Sequence, residues 1–307
     1  MERKRLSSSS PKLASVNTYP ISRLAAIGAV LGGALVGGLT YGRYIEPYWV
    51  VVERVSLILP RLAPAFDGYR VVQISDLHLD GWMTPERLER ITDLVNEQEP
   101  DLVAITGDFV SSSSDYLSGL PKPLGRLQAR DGKVAVLGNH DHLNDATAVR
   151  HALSAAGIVD VSNDIHTLRR DEVTLHLCGV DCVMDGYDRL EEVLDDLDNA
   201  EPGCAILLAH EPDFADESAT TGRFDLQLSG HSHGGQVRLP FLGCPFFLPP
   251  LSFLLSTRTP PLARKYQSGY YKVGKMHQYT NRGLGVMFVP FRLNCRPEVT
   301  VFTLQSL

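Results

Sequence analysis

Five short segments of this sequence place side chains that can bind metal ions directly after an apolar run. The segments are Ser75-Asp76-Leu77-His78, Thr106-Gly107-Asp108, Gly138-Asn139-His140-Asp141, Ala209-His210-Glu211 and Gly230-His231-Ser232-His233-Gly234-Gly235. Carboxylate, amide and neutral imidazole ligands suit Mn²⁺, Fe or Zn²⁺, whereas thiolates would indicate a structural zinc site. Two such ions held side by side can activate a water molecule and stabilise the phosphoryl group that it attacks.

The elements that must position these side chains are short strands. Each segment follows an apolar run that predicts a strand, and the runs cover residues 71–74, 102–105, 134–137, 205–209 and 226–228. In open α/β sheets, ligands bind at the carboxyl ends of the strands, so that residues distant in sequence converge there. A single histidine at a strand end is usually structural. Five segments with potential metal ligands, each at a strand end, predict one shared site.

The spacing within the segments favours paired ligands. Asp76 and His78 are two residues apart, so on an extended strand end they would point to the same side. His231 and His233 repeat this spacing, and the glycines beside them let the backbone turn tightly against the ions. One carboxylate must bridge if two ions lie about 3.5–4 Å apart. Asp108 is the natural candidate for that position.

The remaining patterns predict an α/β protein. Amphipathic helices are expected over residues 84–97, 146–156 and 189–197. Further strands are expected over residues 173–180, 284–289 and 299–304. Alternation of strands and helices favours a sheet that is largely parallel, and the strand-rich later part indicates antiparallel or mixed additions.

The N-terminus predicts a membrane anchor. Basic residues occur in the first 23 positions, and the 19 residues from 24 to 42 carry no charge. At about 1.5 Å per residue, these would span roughly 28 Å, close to the thickness of a bilayer core. The basic flank predicts a cytoplasmic tail over 1–23 and places the rest of the chain outside the cytoplasm. A cleaved signal segment is the alternative. Residues 43–68 are expected to be a connector, leading to a domain over 69–307.

The bulk composition is that of an ordinary globular protein. The chain has 307 residues, of which 44% are hydrophobic and 21% charged. Its net charge of −7 argues against a generic nucleic-acid-binding protein, so no nucleic-acid partner is expected. The apolar stretch over 240–261 has two interpretations, either core or a hydrophobic lip that takes an acyl chain.

The five segments occur in the order D-x-H, G-D, G-N-H-[DE], H and G-H-x-H, and with them the chain resembles the calcineurin-like metallophosphoesterases. The resemblance covers roughly residues 69–304. The segments over 234–240, 282–285 and 294–298 are similar to a bacterial membrane-associated branch that includes phosphodiesterases. This resemblance implies a four-layer α/β/β/α sandwich with mixed sheets, preceded here by one transmembrane helix. It also implies two divalent metal ions, Mn, Fe or Zn.

The resemblance assigns a role to each motif residue. One ion would be bound by four side chains: Asp76, His78, Asp108 and His233. The other would also be bound by four: Asp108, Asn139, His210 and His231. His140 would contact the substrate phosphate and assist the leaving group, and Asp141 would orient His140. The implied mechanism is in-line attack on phosphorus by a hydroxide that bridges the metals.

The implied function is a phosphodiesterase or pyrophosphatase in a bacterial cell membrane, attached by a single N-terminal helix. Its substrate would be a phosphoester, with lipid-linked and nucleotide-linked compounds as candidates. A phosphomonoesterase or protein phosphatase is the alternative that the motifs do not separate. A non-catalytic scaffold of the same fold would be expected to lack some ligands, and this chain retains every motif position.

Overall fold

The computed structural model describes residues 19–111, 113–239, 243–244, 265–287 and 289–307. The chain forms two compact units, Met1–Thr40 and Tyr41–Leu307. The described residues of the first unit belong to helix α1, Tyr19–Tyr44, whose last turn lies in the second unit. By length and composition, the stretch Ala25–Tyr48 could cross a membrane. The expected span over 24–42 lies within α1.

The second unit contains two six-stranded sheets and six further α-helices among its described residues. The helices are α2 (Pro85–Asn96), α3 (Pro121–Gly125), α4 (Asn139–Asn144), α5 (Ala146–Ala155), α6 (Leu190–Asn199) and α7 (Ala215–Ser218). The first six strands are β1 (Val51–Ile58), β2 (Tyr69–Ile74), β3 (Leu102–Thr106), β4 (Lys133–Val136), β5 (Val159–Asp160) and β6 (Asp164–Arg170). The others are β7 (Val173–Gly179), β8 (Gly203–Leu208), β9 (Leu226–Ser229), β10 (Gly269–Val273), β11 (Met276–Thr280) and β12 (Glu298–Gln305).

Both sheets are mixed. The first has the strand order β1-β12-β2-β3-β4-β5, in which β2 to β5 are parallel to one another and β12 is antiparallel to β2. The second has the order β10-β11-β9-β8-β7-β6, with β7, β8, β9 and β11 parallel and the edge strands β6 and β10 antiparallel. Parallel strands bring their carboxyl ends to one edge of the sheet. The motif residues come directly after these strands and therefore lie at that edge.

Three apolar cores define the four layers, and the alternation along β2 shows how. Val72 faces a core that includes Leu88 of α2 and Leu153 of α5. Its neighbour Val71 faces the opposite way, into a core between the two sheets that includes Leu177 of β7. A third core lies between the second sheet and α6 and α7. Both faces of each sheet are therefore covered, as expected for an α/β/β/α sandwich.

Helix α2 illustrates how the sequence sets a boundary. Pro85 lies in its first turn, where a missing N–H costs nothing. The residues Leu88, Ile91 and Val95 recur at helical spacing and are buried on one face. The helix ends at Asn96, one residue before the predicted boundary.

Two expectations about local structure are wrong. Residues 43–68 were expected to be a connector, but they include β1, which pairs in parallel with β12 over eight residues. Residues 284–289 were expected to form a strand, but their described part is a loop. In this loop, the N–H groups of Leu284 and Gly285 donate to the carbonyls of Ser75 and Asp76. Most of the apolar stretch over 240–261 lies outside the described residues.

Candidate metal centre

The motif residues lie in loops at the carboxyl ends of five strands. Asp76 and His78 follow β2, Asp108 follows β3, and α4 begins at Asn139 after β4. His210 follows β8, and the pair His231 and His233 follows β9. Strands β2 to β4 belong to the first sheet, whereas β8 and β9 belong to the second. The site therefore lies where both sheets end.

Asp76, His78 and His233 form a cluster that we call the first ligand group. Their potential ligand atoms all lie within 4.8 Å of one another, and all three side chains are buried. The Nε2 atoms of His78 and His233 are 2.9 Å apart. The Nε2 atom of His233 lies 3.4 Å from Oδ1 of Asp76. Two imidazole nitrogens and a carboxylate oxygen thus face a common point.

Asp108, His210 and His231 form a similar cluster, the second ligand group, which is also buried. Nε2 of His210 lies 3.3 Å from Oδ2 of Asp108 and 3.2 Å from Nδ1 of His231. Oδ1 of Asn139 lies 3.0 Å from the same Nδ1 atom and adds an amide oxygen. The group therefore offers two nitrogens and two oxygens.

The Asp108 carboxylate lies between the two groups. Its Oδ2 atom is 3.4 Å from Nε2 of His78 and 3.3 Å from Nε2 of His210. Its Oδ1 atom accepts the backbone N–H of His140 at 2.9 Å. One carboxylate oxygen thus lies close to a histidine nitrogen of each group.

His140 lies at the edge of the site and is half-buried. Its Nδ1 atom is 2.7 Å from the carbonyl oxygen of Ser111, so Nδ1–H donates there. Its ring meets that of His78 edge to face, with ring centroids 4.8 Å apart. This tautomer leaves Nε2 as the nitrogen that can face a substrate.

Asp141 does not contact the His140 ring, contrary to what the resemblance implied. Its buried carboxylate accepts four backbone N–H groups, from Asp108 at 2.9 Å, Phe109 at 2.8 Å, Val110 at 3.4 Å and Gly138 at 2.9 Å. These hydrogen bonds fix the loop that carries Asp108. The partner of the His140 ring is the Ser111 carbonyl, because Asp141 points back toward the end of β3.

The backbone of the ligand loops is unusual. Five ligand residues have a left-handed conformation with positive φ: Asp76 at 49°, His78 at 48°, Asp108 at 58°, His231 at 66° and His233 at 49°. The paired ligands were expected to converge by alternation along an extended strand end, and this expectation is wrong. Non-glycine residues adopt this conformation rarely and at a cost, and such residues cluster at functional sites.

Gly230 shows how closely these loops approach one another. A Cβ atom at this position would overlap the side chains of Ser75 and Asp76. Without a side chain, the loop after β9 can bring the N–H of His231 to the Asp76 carboxylate, at 3.0 Å from Oδ1. A glycine is thus needed here because the Ser75 and Asp76 side chains pack directly against its backbone.

Burial keeps most of the histidines neutral. Removal from water lowers the pKa of His78 to about 3 and that of His231 to about 4. The pKa of His233 also falls well below its usual value, chiefly through burial and through the charge of His78. Since a neutral imidazole is the form that binds a metal ion, these environments favour metal ligation.

The buried carboxylates require a nearby positive charge. Burial, together with the charge of Asp108, raises the pKa of Asp76 to about 7. Burial alone would also raise the pKa of Asp108, but the charge of His210 outweighs it and holds that pKa well below its usual value. The pKa of His210 is raised well above its usual value by Asp108, although burial opposes this. A divalent cation between the groups would meet the same demand.

The chain is similar to phosphoesterases over most of its length. A family model described as calcineurin-like phosphoesterase matches residues 69–235. The uncharacterized metallophosphoesterase YkuE of Bacillus subtilis is 38% identical over 285 residues, covering 91% of this chain and 94% of that protein. The chain belongs to the calcineurin-like phosphoesterase family. It is a metal-dependent phosphoester hydrolase, and its buried His and Asp clusters are suited to divalent metal ions.

Two further relatives of this phosphoesterase carry informative names. The phosphodiesterase YaeI of Escherichia coli is 29% identical, with 88% of this chain and 94% of that protein covered. A transmembrane protein with metallophosphoesterase domain from Danio rerio is 31% identical, with 83% of this chain but only 57% of that protein covered. The apolar N-terminal helix and the relative named as a transmembrane protein are weak support for membrane association of this phosphoesterase.

Sequence reasoning missed one residue that supports this phosphoesterase site. Arg292 is fully buried, and its guanidinium donates to four backbone carbonyls: Arg282 at 3.0 Å, Gly283 at 3.1 Å, Gly285 at 2.6 Å and Cys295 at 3.1 Å. Gly283 and Gly285 pack so closely on Asp76 and His78 that a Cβ atom at either glycine would lie 2.7 Å from the corresponding ligand Cβ. The signal available in the sequence was an arginine within an apolar run, between Phe291 and Leu293.

Proposed function

We propose that this phosphoesterase hydrolyses phosphodiester or pyrophosphate bonds with two divalent metal ions, one bound by each ligand group. The proposal is supported chiefly by the Oδ2 atom of Asp108, which lies within 3.4 Å of a histidine nitrogen in both groups. The four ligands of one ion would be Asp76, His78, Asp108 and His233. The four ligands of the other would be Asp108, Asn139, His210 and His231.

The bound ions would supply two kinds of chemistry, lowering the pKa of water and neutralising the phosphoryl oxygens. The chain's own residues perform the rest. The ligand groups would hold the two ions in fixed positions, and Asp141 holds the Asp108 loop in place. His140 would present Nε2 to the leaving group. With Nδ1–H bound to Ser111, the doubly protonated ring would give its Nε2 proton to the departing oxygen and become the neutral tautomer. Ser111 keeps the His140 ring in this orientation through the bond to Nδ1.

The name of one relative, a phosphodiesterase, supports a diester rather than a monoester as the substrate of this chain. Lipid-linked and nucleotide-linked phosphoesters are the candidate substrates. A phosphomonoesterase or protein phosphatase would use the same ligands, so the substrate panel decides between them. A non-catalytic scaffold is disfavoured, because every motif position retains a side chain that can bind metal or transfer a proton.

A substrate panel combined with metal analysis tests the proposal. The full chain is purified in detergent and loaded separately with Mn²⁺, Fe²⁺ and Zn²⁺, and each form is assayed on a diester, a monoester and a nucleotide-lipid pyrophosphate. We expect about two ions per chain, as in other two-metal sites, and the highest kcat/KM on the diester or the pyrophosphate. A clear preference for the monoester would support the alternative. A chain that binds no metal would be a scaffold.

We also propose a membrane location for the chain. The support is the basic N-terminal region followed by the stretch Ala25–Tyr48, which is long and apolar enough to cross a bilayer. The tail over 1–23 would be cytoplasmic, and the catalytic region over 69–307 would lie outside the cytoplasm of a bacterial cell. Reporter fusions at the C-terminus test this orientation. Activity of a reporter that functions only in the cytoplasm would reverse it, and release of a shortened chain would indicate a cleaved signal.

A further inference from the structure

The first residues of the catalytic unit expose several large apolar side chains. Tyr44, Ile45, Tyr48 and Trp49 are 65%, 49%, 51% and 49% exposed, and all four lie within six consecutive positions. Contiguous exposed apolar side chains usually mark an interaction surface. Tyrosine and tryptophan are particularly frequent where a membrane meets water, because each has an apolar ring and a polar tip.

Arginine side chains cover this aromatic surface. The guanidinium of Arg43 lies 5.1 Å from the ring centre of Tyr44, and that of Arg296 lies 3.6 Å from the ring centre of Trp49. Arginine beside an aromatic ring places a positive charge at the level of anionic lipid headgroups. We call this surface the interfacial girdle, consisting of Arg43, Tyr44, Tyr48, Trp49, Trp82, Arg87 and Arg296.

Chain connectivity limits how far the girdle can move from a membrane. The uncharged part of the stretch Ala25–Tyr48 ends at Gly42, and the girdle begins at the next residue, Arg43. Because one residue extends at most about 3.5 Å, the girdle residues that follow Gly42 remain near the bilayer surface whenever the uncharged part spans it. The girdle therefore has a lipid surface within reach.

The girdle contacts the loop that follows the ligands of β2. Nε1 of Trp82 donates to the Tyr48 hydroxyl at 3.2 Å, and Trp82 is only four residues after His78. The guanidinium of Arg87 lies 3.4 Å from the ring centre of Trp82 and donates to the carbonyl of Pro47 at 2.9 Å. These contacts tie the aromatic segment to the first ligand group.

A second connection reaches the loop after β9. The buried carboxylate of Glu46 accepts the backbone N–H groups of Asn294, at 2.9 Å, and of Cys295. Sγ of Cys295 in turn donates to the carbonyl of His233 at 3.2 Å. The segment with the exposed aromatic side chains is thus linked to both loops that carry the histidines of the first ligand group.

We propose that the interfacial girdle is a phospholipid-contact surface that holds the catalytic unit against the bilayer at headgroup level. The loops of His78 and His233 then lie beside the lipid surface rather than being suspended on a free linker. The aromatic rings, the arginines above them and the position directly after the apolar stretch all match a phospholipid surface. This proposal rests on the proposed membrane location and does not depend on which phosphoester is hydrolysed.

Tryptophan fluorescence tests the proposal directly. The chain has two tryptophans, and both belong to the girdle. The full chain is reconstituted into vesicles of phosphatidylcholine and phosphatidylglycerol, with bromine placed either near the glycerol end or near the methyl end of the acyl chains. Trp82→Phe leaves Trp49 as the single fluorophore. We expect its quenching to be at least about twofold stronger with bromine near the glycerol end, the depth typical of interfacial aromatic residues.

The control places a tryptophan elsewhere on the catalytic unit. Tyr270 on β10 is 48% exposed and outside the girdle, so Tyr270→Trp is made together with Trp49→Phe and Trp82→Phe. This fluorophore is expected to respond to acrylamide in water and not to brominated lipid. Each variant must retain the circular dichroism spectrum and the thermal midpoint of the unmodified chain, which shows that it is folded.

Two results would overturn the proposal. The first is a Trp49 emission that acrylamide quenches and neither brominated lipid affects, which would leave the girdle exposed to water or covered by another protein. The second is equal lipid quenching of Trp49 and of the fluorophore at position 270, which would mean that no particular surface faces the bilayer.

Discussion

The two ligand groups have similar side chains but are held in different ways. In the second group, Nδ1 of His210 donates to the carbonyl oxygen of Thr106 at 2.7 Å, which directs Nε2 toward the site. The Asp108 loop donates three backbone N–H groups, those of Asp108, Phe109 and Val110, to the Asp141 carboxylate. The His210 imidazole and the loop that carries the Asp108 carboxylate are thus oriented by hydrogen bonds.

The two histidines of the first ligand group lack this support. The Nδ1 atoms of His78 and His233 are buried and have no hydrogen-bond partner among the described residues. Their rings are held by packing, including that of the loop over 282–285 that Arg292 fixes. Partners that fix the tautomer and the orientation of a metal-binding histidine typically contribute about 10–100-fold in metal affinity. The second group should therefore bind its ion more tightly.

The largest expected effect is at the residue that both groups share. Asp108→Asn removes the bridging charge, and we expect kcat to fall by at least about 10³-fold, since both metal coordination and water activation depend on it. Metal analysis should show that the bound ions are lost from both groups. Asp225→Asn, at a buried carboxylate that pairs with Arg61, is the matched control and should retain its metal. Full activity of Asp108→Asn would rule out its bridging role.

A substitution at His140 should affect catalysis without affecting metal binding. One of the ring nitrogens of His140 lies within 4.8 Å of potential ligand atoms of His78 and Asp108. We nevertheless assign His140 the role of proton donor to the leaving group. His140→Ala should lower kcat by about 10²–10⁴-fold, the usual contribution of a general acid, while metal content stays unchanged. The exposed His151 on α5 provides the control, because His151→Ala should change neither quantity. Loss of an ion from His140→Ala would make it a ligand and change the comparison between the groups.

The difference in support predicts the order in which the ions leave. During titration with a chelator, the ion of the first group should dissociate at a concentration about 10–100-fold lower than the ion of the second. Metal content should therefore pass through a plateau near one ion per chain. His233→Ala should abolish the early step alone, whereas His210→Ala should remove the late one. Simultaneous loss of both ions would contradict the asymmetry.

Much of this fold could be predicted from local sequence patterns. The apolar periodicity of α2 and the short runs before the motif residues identified elements that the structure contains, within one or two residues. The residue types of the motifs singled out side chains that lie together at the strand ends. These predictions depend on contacts that are local or on chemistry that has few alternatives.

Other features have no local signal. Strand β1 is defined by pairing with β12 near the other end of the chain, and a proline-interrupted segment gives no hint of that partner. The positive φ angles at Asp76 and His78 arise because tertiary contacts outweigh the intrinsic cost. The sequence over 284–289 is apolar enough for a strand, but the N–H groups of Leu284 and Gly285 bind the β2 loop instead.

Arg292 provides the smallest and most selective test of the comparison. Arg292→Met removes the hydrogen bonds that fix the loop packed against Asp76 and His78, so we expect the affinity for the first ion to fall by about tenfold, while that for the second is unchanged. Arg292→Lys keeps a positive charge and should restore part of the affinity. The spectrum of the Co²⁺-loaded protein reports the coordination geometry, which a purely structural role of Arg292 would leave unaltered.

A loss of folding must be distinguished from a loss of positioning. Charged hydrogen bonds to buried carbonyls contribute about 1.5–3 kcal/mol each, so the thermal midpoint of Arg292→Met should also fall. Arg61→Met is the matched control, because Arg61 pairs with Asp225 and donates to the carbonyls of Gly222 and Arg223 rather than to the ligand loops. It should lower stability without changing either metal affinity. Equal weakening of both ions in Arg292→Met would show that the two groups share one support.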